Sequence, residues 1–257
     1  MKTHHRFIFS LVSVCLMMPL HVMANILIDL PTQVKNATPS VVGIGIYVPL
    51  QSKKSRLSGT GFAVGDGSLI VTNNHVIEHD IDPNLVSHIV VLAGKGKNVR
   101  EFTAQVVKTD PLNDLAILKI SGTLPSVVLR QAENDVMPGT YVHIIGFPLG
   151  ATLGLYPAVH SGVVANVSPN VIPTQHSRQL TKQVLRNLKE PTLIYQLDLT
   201  AYPGNSGSPL FDSVSNEVVG VINKVFVTDT KETAITNPSG ISYAITIDKV
   251  HALLDTL

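Results

Sequence analysis

Residues 203–211 read Pro-Gly-Asn-Ser-Gly-Ser-Pro-Leu-Phe. Gly204 and Gly207 bracket Asn205 and Ser206. Glycine reaches positive φ without a Cβ penalty, so the stretch reads first as a tight turn. Such a turn can also present the Ser206 hydroxyl and aim backbone N–H groups at one point. A serine hydroxyl by itself is a weak nucleophile. It needs a base within hydrogen-bond reach and a third group to orient that base. The question for the rest of the chain is whether a histidine and a carboxylate occupy structurally marked places.

One histidine does. Leu69-Ile70-Val71-Thr72-Asn73-Asn74-His75-Val76-Ile77 is an apolar strand pattern that gives way to a turn at His75. His79 and His88 read as surface or strand-face residues, and His143 alternates with Val142 and Ile144 on a strand. Among the carboxylates, Asp114 opens the apolar run Leu115–Ile120 and is expected to be half-buried. A buried carboxylate is costly unless paired or hydrogen-bonded, and a histidine N–H is a suitable partner. Asp110, before Pro111, reads as a turn residue. The chain order is His75, Asp114, Ser206, with spacings of 39 and 92 residues. That is the His–Asp–Ser order of the chymotrypsin template. Esterases of the α/β-hydrolase class run Ser…Asp…His with a G-x-S-x-G elbow, and neither feature is present.

Composition points to the same class of fold. Charged residues make up 14% of the chain, against about 25% in an average globular protein. With 18 glycines and 16 prolines among many valines and isoleucines, an all-β domain rich in turns is expected. Short strand patterns fall in two series. The first is Val41–Val48, Gly61–Val64, Leu69–Thr72, His88–Leu92, Phe102–Lys108 and Leu115–Ile120. The second is Tyr141–Phe147, Val159–Val167, Leu193–Leu197, Pro209–Phe211, Val218–Asn223 and Ile241–Ile245. Long helical intervals are missing from the second series, which argues against a parallel sheet. A basic amphipathic helix is expected within a loop at 168–191, and a terminal helix at Ile247–Leu257 capped by Thr246 or Asp248.

The first 24 residues have the layout of a secretory signal peptide, with Lys2 and Arg6 before an apolar stretch and Val22-Met23-Ala24 before the cut. The alternative is a retained anchor. Cleavage removes the single cysteine, Cys15, and leaves 17 Lys+Arg against 18 Asp+Glu. So balanced a charge does not suggest a nucleic-acid partner, which would favour a basic face. The histidines are scattered and no cysteine remains, so no metal site or other cofactor is expected.

These motifs together resemble a trypsin-like serine protease of the bacterial HtrA type. The resemblance is carried by Gly59-Thr60-Gly61-Phe62, Thr72-Asn73-Asn74-His75-Val76, Asn113-Asp114-Leu115-Ala116, Gly146-Phe147-Pro148 and Pro203-Gly204-Asn205-Ser206-Gly207. It covers 38–250 and implies two six-stranded antiparallel β-barrels of the chymotrypsin type, with a short C-terminal helix. By this resemblance, barrel one spans about 38–125 and barrel two about 126–248, within a protease domain at 25–257. It implies His75 as general base and acid, Asp114 as its orienter and Ser206 as nucleophile. The Gly204-Asn205-Ser206 turn would supply the oxyanion hole through the N–H groups of Gly204 and Ser206. The substrates implied are unfolded or loosely folded proteins, acted on after export to the periplasm or cell exterior.

The chain departs from that pattern in instructive ways. Ser208 stands where HtrA proteins usually have glycine. Gly-Asn-Ser-Gly-Ser-Pro is also the pattern of glutamyl endopeptidases, but their glutamate-binding positions are here Ala201 and Ile222, which cannot bind a carboxylate. A pocket lined by Thr200, Ala201, Ile222, Asn223 and Lys224 is expected, favouring small or medium apolar residues before the cut. His160 is a candidate for its border. The peptide-binding PDZ domain usual in HtrA proteins has no counterpart in this sequence. Ile26, Leu27, Ile28 and Leu30 fit either trimer formation, as in that family, or packing on a barrel in a monomer. The alternative function is a catalytically silent or partner-activated protease fold acting as a protein-binding or chaperone module.

Overall fold

The computed structural model describes residues 29–48, 56–78, 87–132, 136–148, 155–169, 192–225 and 240–257. Twelve strands close into two antiparallel barrels of six. Barrel one contains β1 (Val41–Tyr47), β2 (Arg56–Val64), β3 (Leu69–Thr72), β4 (His88–Lys95), β5 (Asn98–Asp110) and β6 (Leu115–Ile120), in the spatial order β1-β2-β3-β6-β5-β4. Barrel two contains β7 (Tyr141–Gly146), β8 (Ala158–Pro169), β9 (Leu193–Asp198), β10 (Pro209–Asp212), β11 (Val218–Val225) and β12 (Ile241–Thr246). Its order is β10-β11-β12-β9-β8-β7, the same winding as barrel one.

The apolar pattern of each strand tells where it sits. Side chains alternate across a strand, so a strand buried on both faces must be apolar on both. In β7, Val142 and Ile144 fill barrel two, while Ile145 and the following Phe147 face the seam between the barrels. In β6, Leu118 and Ile120 fill barrel one, while Leu115 and Ile117 face that seam. The outer strand β5 is mostly exposed and bulges between Val106 and Lys108.

The seam forms the third apolar cluster, joining Phe62, Val71, Ile145, Phe147, Phe211 and Val221. Two helices cap it. The terminal helix, α3 (Ile247–Leu254), buries Ile247, Val250 and Leu253 against the seam. It follows Thr246 as expected but stops short of Leu257. The N-terminal helix α1 (Leu30–Ala37) was not expected from the sequence. Its start is locally encoded, because Asp29 Oδ1 accepts the Thr32 N–H at 3.2 Å and Pro31 lies in the first turn. Val34 and Ala37 then pack on the seam, and Gln33 Nε2 donates to the Ser213 carbonyl at 3.0 Å. Leu30 thus belongs to a helix start; Ile26, Leu27 and Ile28 lie outside the described residues, as does 170–191 of the expected loop.

The segment between the barrels is strapped down on both sides. Val127 N donates to the Ala63 carbonyl of barrel one, and Arg130 N donates to the Val218 carbonyl of barrel two. Arg130 also pairs with Asp212 at 2.6 Å and with Glu217 at 3.2 Å. Burial pushes the Asp212 carboxyl up, but the Val214 N–H and the Arg130 guanidinium outweigh it and hold the group below the usual carboxylate range.

Candidate active site

Barrel one supplies a histidine–carboxylate pair. β3 ends at Thr72 and passes into the one-turn helix α2 (Asn74–Ile77), which carries His75. Asp114 sits just before β6 with φ +54, a left-handed conformation that aspartate tolerates better than most residues. That conformation turns the residue back onto α2. Asp114 Oδ1 accepts the His75 backbone N–H at 2.9 Å, and Oδ2 lies 2.6 Å from His75 Nδ1. The Asp114 carbonyl accepts the Asn74 N–H at 3.1 Å and Asn73 Nδ2 at 3.0 Å. Four bonds fix one aspartate. With Nδ1–H donated to the carboxylate, the imidazole is left with Nε2 as its basic nitrogen. Asp110 takes the turn role expected of it, accepting from the N–H groups of Leu112 and Asn113.

Barrel two supplies the turn that carries Ser206. Asn205 N donates to the Tyr202 carbonyl at 2.9 Å, and Gly204, between them, has φ +102. Pro203 fixes its own φ near −65°, which excludes the primed turns. A positive φ at the next residue excludes type I, so Tyr202–Asn205 is a type II turn. A second turn follows, closed by Ser208 N to the Asn205 carbonyl at 3.0 Å, with Gly207 at φ +84. Gly207 N donates to the Ile222 carbonyl at 2.8 Å. The backbone N–H groups of Asn205, Gly207 and Ser208 are therefore committed within the fold. Those of Gly204 and Ser206 have no acceptor among the described residues. Of the three residues assigned to the oxyanion hole from sequence, Asn205 thus contributes no donor, because its N–H closes the turn.

Gly59 shows how close the halves come. A Cβ there would lie 2.7 Å from Val76 Cγ2, next to His75, and 3.0 Å from the Ser206 carbonyl oxygen. The structure brings both the α2 segment and the Ser206 turn against the Cβ position of one glycine. The Ser206 hydroxyl, however, donates to the Asn223 carbonyl at 2.8 Å. A hydroxyl has a single proton to give, so in this rotamer it is not offered to His75.

The residues expected to line a specificity pocket divide. Ala201 and Ile222 are buried in the barrel-two core. Thr200 and Asn223 are half-buried beside them, and the side chain of Lys224 lies outside the described residues. His160 lies on the barrel-facing side of β8, its ring 5.5 Å from that of Tyr202, the residue after Ala201. Burial pushes its pKa down, and its Nε2 has no partner among the described residues. Sequence reasoning passed over Tyr202. The signal was its place next to Pro203, within the turn leading to the nucleophile. Among the described residues no group of three His, Cys, Asp or Glu side chains is placed to hold a metal.

The profile of the trypsin-like peptidase domain matches residues 59–221, which include His75, Asp114 and the Ser206 turn. The chain is similar to the probable periplasmic serine endoprotease DegP-like of Halomonas elongata, 30% identical over 80% of this chain and 36% of that one. Its counterpart in a Marinomonas strain is 30% identical over 81% of this chain and 37% of that protein. The chain therefore spans little more than a third of the length of these curated relatives. Among solved structures, an HtrA-type protease, AlgW, determined with a tripeptide, superposes with a TM-score of 0.62 at 24% identity. That match covers 88% of this chain and 62% of the other, and it supports the fold. With the family profile matched from β2 to β11, the chain belongs to the trypsin-like peptidase domain family.

Proposed function

We propose that this chain is an exported serine endopeptidase that hydrolyses peptide bonds through a His75–Asp114–Ser206 triad and an acyl-enzyme. The observation that carries this reading is the His75–Asp114 pair at 2.6 Å, across Gly59 from a turn with two uncommitted N–H groups. In the reaction, the Ser206 hydroxyl turns from the Asn223 carbonyl toward His75 Nε2. His75 takes the proton as Oγ adds to the scissile carbonyl, and Asp114 stabilises the imidazolium that forms. The Gly204 and Ser206 N–H groups receive the developing oxyanion. His75 then protonates the leaving amine. Water repeats the addition on the acyl-enzyme with His75 again as base, releasing the acid and restoring Ser206.

The substrates are unfolded or loosely folded proteins, and the word endoprotease in the names of the DegP-like relatives supports a protein substrate. With Ala201 and Ile222 filling the core behind them, the half-buried Thr200 and Asn223 bring no charge to the pocket, which favours small or medium apolar residues before the cut. Residues 1–24 act as the export signal, 25–257 form the protease domain, and the product acts in the periplasm or outside the cell. The Ser206–Asn223 bond favours a second reading, in which the site rests until a partner or substrate turns the hydroxyl. In its extreme form, the fold binds protein without cutting it.

The test is to incubate the purified protein and its Ser206→Ala variant with unfolded casein and map the cuts by mass spectrometry. Cleavage by the first alone, after apolar residues, supports the proposal. A profile dominated by Glu, Lys or Arg overturns the apolar pocket. Absence of cleavage together with absence of fluorophosphonate labelling at Ser206 overturns the enzyme and leaves the protein-binding module.

A further inference from the structure

Thr60 is fully buried on β2 of barrel one, between Gly59 and Gly61. The role assigned to the active site so far does not involve it. Its hydrogen bonds nevertheless reach the turn that carries Ser206. Thr60 Oγ1 donates to the Gly204 carbonyl at 2.7 Å, and Thr60 N donates to the Ser206 carbonyl at 2.8 Å. The same Oγ1 accepts the Phe147 N–H at 3.1 Å, and the Thr60 carbonyl accepts Thr72 Oγ1 at 2.7 Å. One residue of barrel one thus satisfies two carbonyls of the barrel-two turn.

The peptide geometry gives those bonds a consequence. The Gly204 carbonyl belongs to the same planar unit as the Asn205 N–H, which is held by Tyr202. The Ser206 carbonyl belongs to the unit of the Gly207 N–H, which is held by Ile222. Units 204–205 and 206–207 are therefore fixed at both ends, one end of each by Thr60. The remaining donors alternate with them: Gly204 N–H belongs to unit 203–204, just before the first, and Ser206 N–H to unit 205–206, between the two. The Pro203-Gly204 pair selects the turn type; Thr60 sets where that turn stands relative to His75.

We propose that Thr60 is the positioning residue of the oxyanion hole, its hydroxyl holding the Gly204 carbonyl so that the Gly204 and Ser206 N–H groups converge on the reacting carbonyl. The inference rests on the serine-protease reading above. Its consequence is that a donor set built wholly from barrel two is aligned by a side chain of barrel one. A threonine hydroxyl is suited to this, since it gives one proton to Gly204 while taking one from Phe147.

The experiment compares the full chain with its Thr60→Val, Thr60→Ser and Thr60→Cys variants on a fluorogenic peptide built from a casein cut site. Active-site concentration is titrated with a fluorophosphonate. A peptide boronate, whose adduct on Ser206 mimics the tetrahedral intermediate, reports the hole directly. Removing one oxyanion donor costs about 10²–10³ in rate, and misaligning a pair costs part of that. Thr60→Val is expected to lower kcat per titrated site about 10–100-fold with KM within about threefold. Boronate affinity should fall in parallel, and Thr60→Ser should stay within about threefold of the parent.

If Thr60→Val does not fold, the Ser and Cys variants decide, because they differ at one atom and a thiol is a weak donor. A drop of at least about fivefold for Cys but not Ser supports the assignment. An unchanged kcat per titrated site in Val or Cys overturns it and leaves Thr60 a packing residue. A parent chain that no fluorophosphonate labels overturns the protease reading itself, a result distinct from an unchanged Thr60 variant.

Discussion

On barrel one, the Asp114 carboxylate and carbonyl take up two backbone N–H groups, one side-chain amide and the His75 ring. On barrel two, the segment bearing Ser206 and the facing Asn223 of β11 keep several polar atoms without partners among the described residues: both amide atoms of the buried Asn205, Ser208 Oγ and Asn223 Oδ1. The barrels share one winding, yet the first builds its half of the site from its own hydrogen bonds. The second borrows Thr60 to hold its half. An acid–base pair needs one fixed contact, which a short strand-to-helix turn and a left-handed aspartate can supply locally. An oxyanion turn needs several peptide planes aligned at once, and a five-residue turn cannot fix all of them by itself.

The sharpest way to break this comparison is to remove one member from each side. Ser206→Ala is expected to lower kcat by about 10⁶ and Asp114→Asn by about 10⁴. Peptide hydrolysis per folded molecule measures both. If Asp114→Asn costs less than about tenfold, the tight barrel-one pair is structural rather than catalytic.

Next in size is the seam between the halves. A Cβ on Gly207 would stand 2.1 Å from the Thr60 carbonyl oxygen and 2.5 Å from Thr72 Oγ1, at φ +84. Gly207→Ala should therefore cost about 3 kcal/mol or more by denaturant unfolding, combining strain with overlap. Gly65, at φ +62 with open space around it, isolates the backbone term, and Gly65→Ala should cost about 1–2 kcal/mol. Equal costs would mean that the turn moves freely relative to barrel one.

A smaller effect distinguishes the barrels by pH. His143 of β7 is fully buried, stacked on Phe211 with ring centroids 5.0 Å apart and its Nδ1 3.1 Å from Ser213 Oγ. Burial pushes its pKa down to about 4, against a weaker opposing pull from Asp212. The unfolded chain then takes up this proton first as pH falls. The stability from neutral His143 is complete above about pH 6.5 and is lost as pH drops toward about 4, by up to about 3 kcal/mol. Urea midpoints at pH 7.5 and 4.5 should differ less in His143→Gln than in the parent.

The smallest expected effect is a gain. Ser208 is buried and its hydroxyl has no partner among the described residues, and a Cβ on Gly146 would lie 2.2 Å from it. Ser208→Ala should raise stability by about 1 kcal/mol, because the desolvated hydroxyl is not repaid by a bond. A loss of stability instead would place a partner on Ser208 and narrow the contrast between the barrels.

The strands were legible because their apolar patterns were local: β3 and β6 have the bounds expected, β1 and β7 end one residue early, and the others extend further at one or both ends. β2 begins at Arg56, five residues before its expected start, since Ser58, Gly59 and Thr60 carry no apolar pattern. The close approach of Val76 and the Ser206 turn demands small residues there. α1 was missed although Asp29 and Pro31 signal a helix start, because the preceding apolar residues drew the reading toward a packing segment. The sequence by itself determined the two series of strands, the residues of the candidate triad and their order, because periodicity and turn chemistry are properties of neighbours along the chain; closure into two barrels was implied by the family resemblance and is seen in the structure. Only the tertiary structure decided that Ser206 donates to Asn223, that Gly207 N–H is held by Ile222, and that Thr60 holds the Gly204 carbonyl 144 residues away. Those bonds join segments distant in sequence, and a hydrogen bond is specified by where its two groups meet, which neither segment encodes alone.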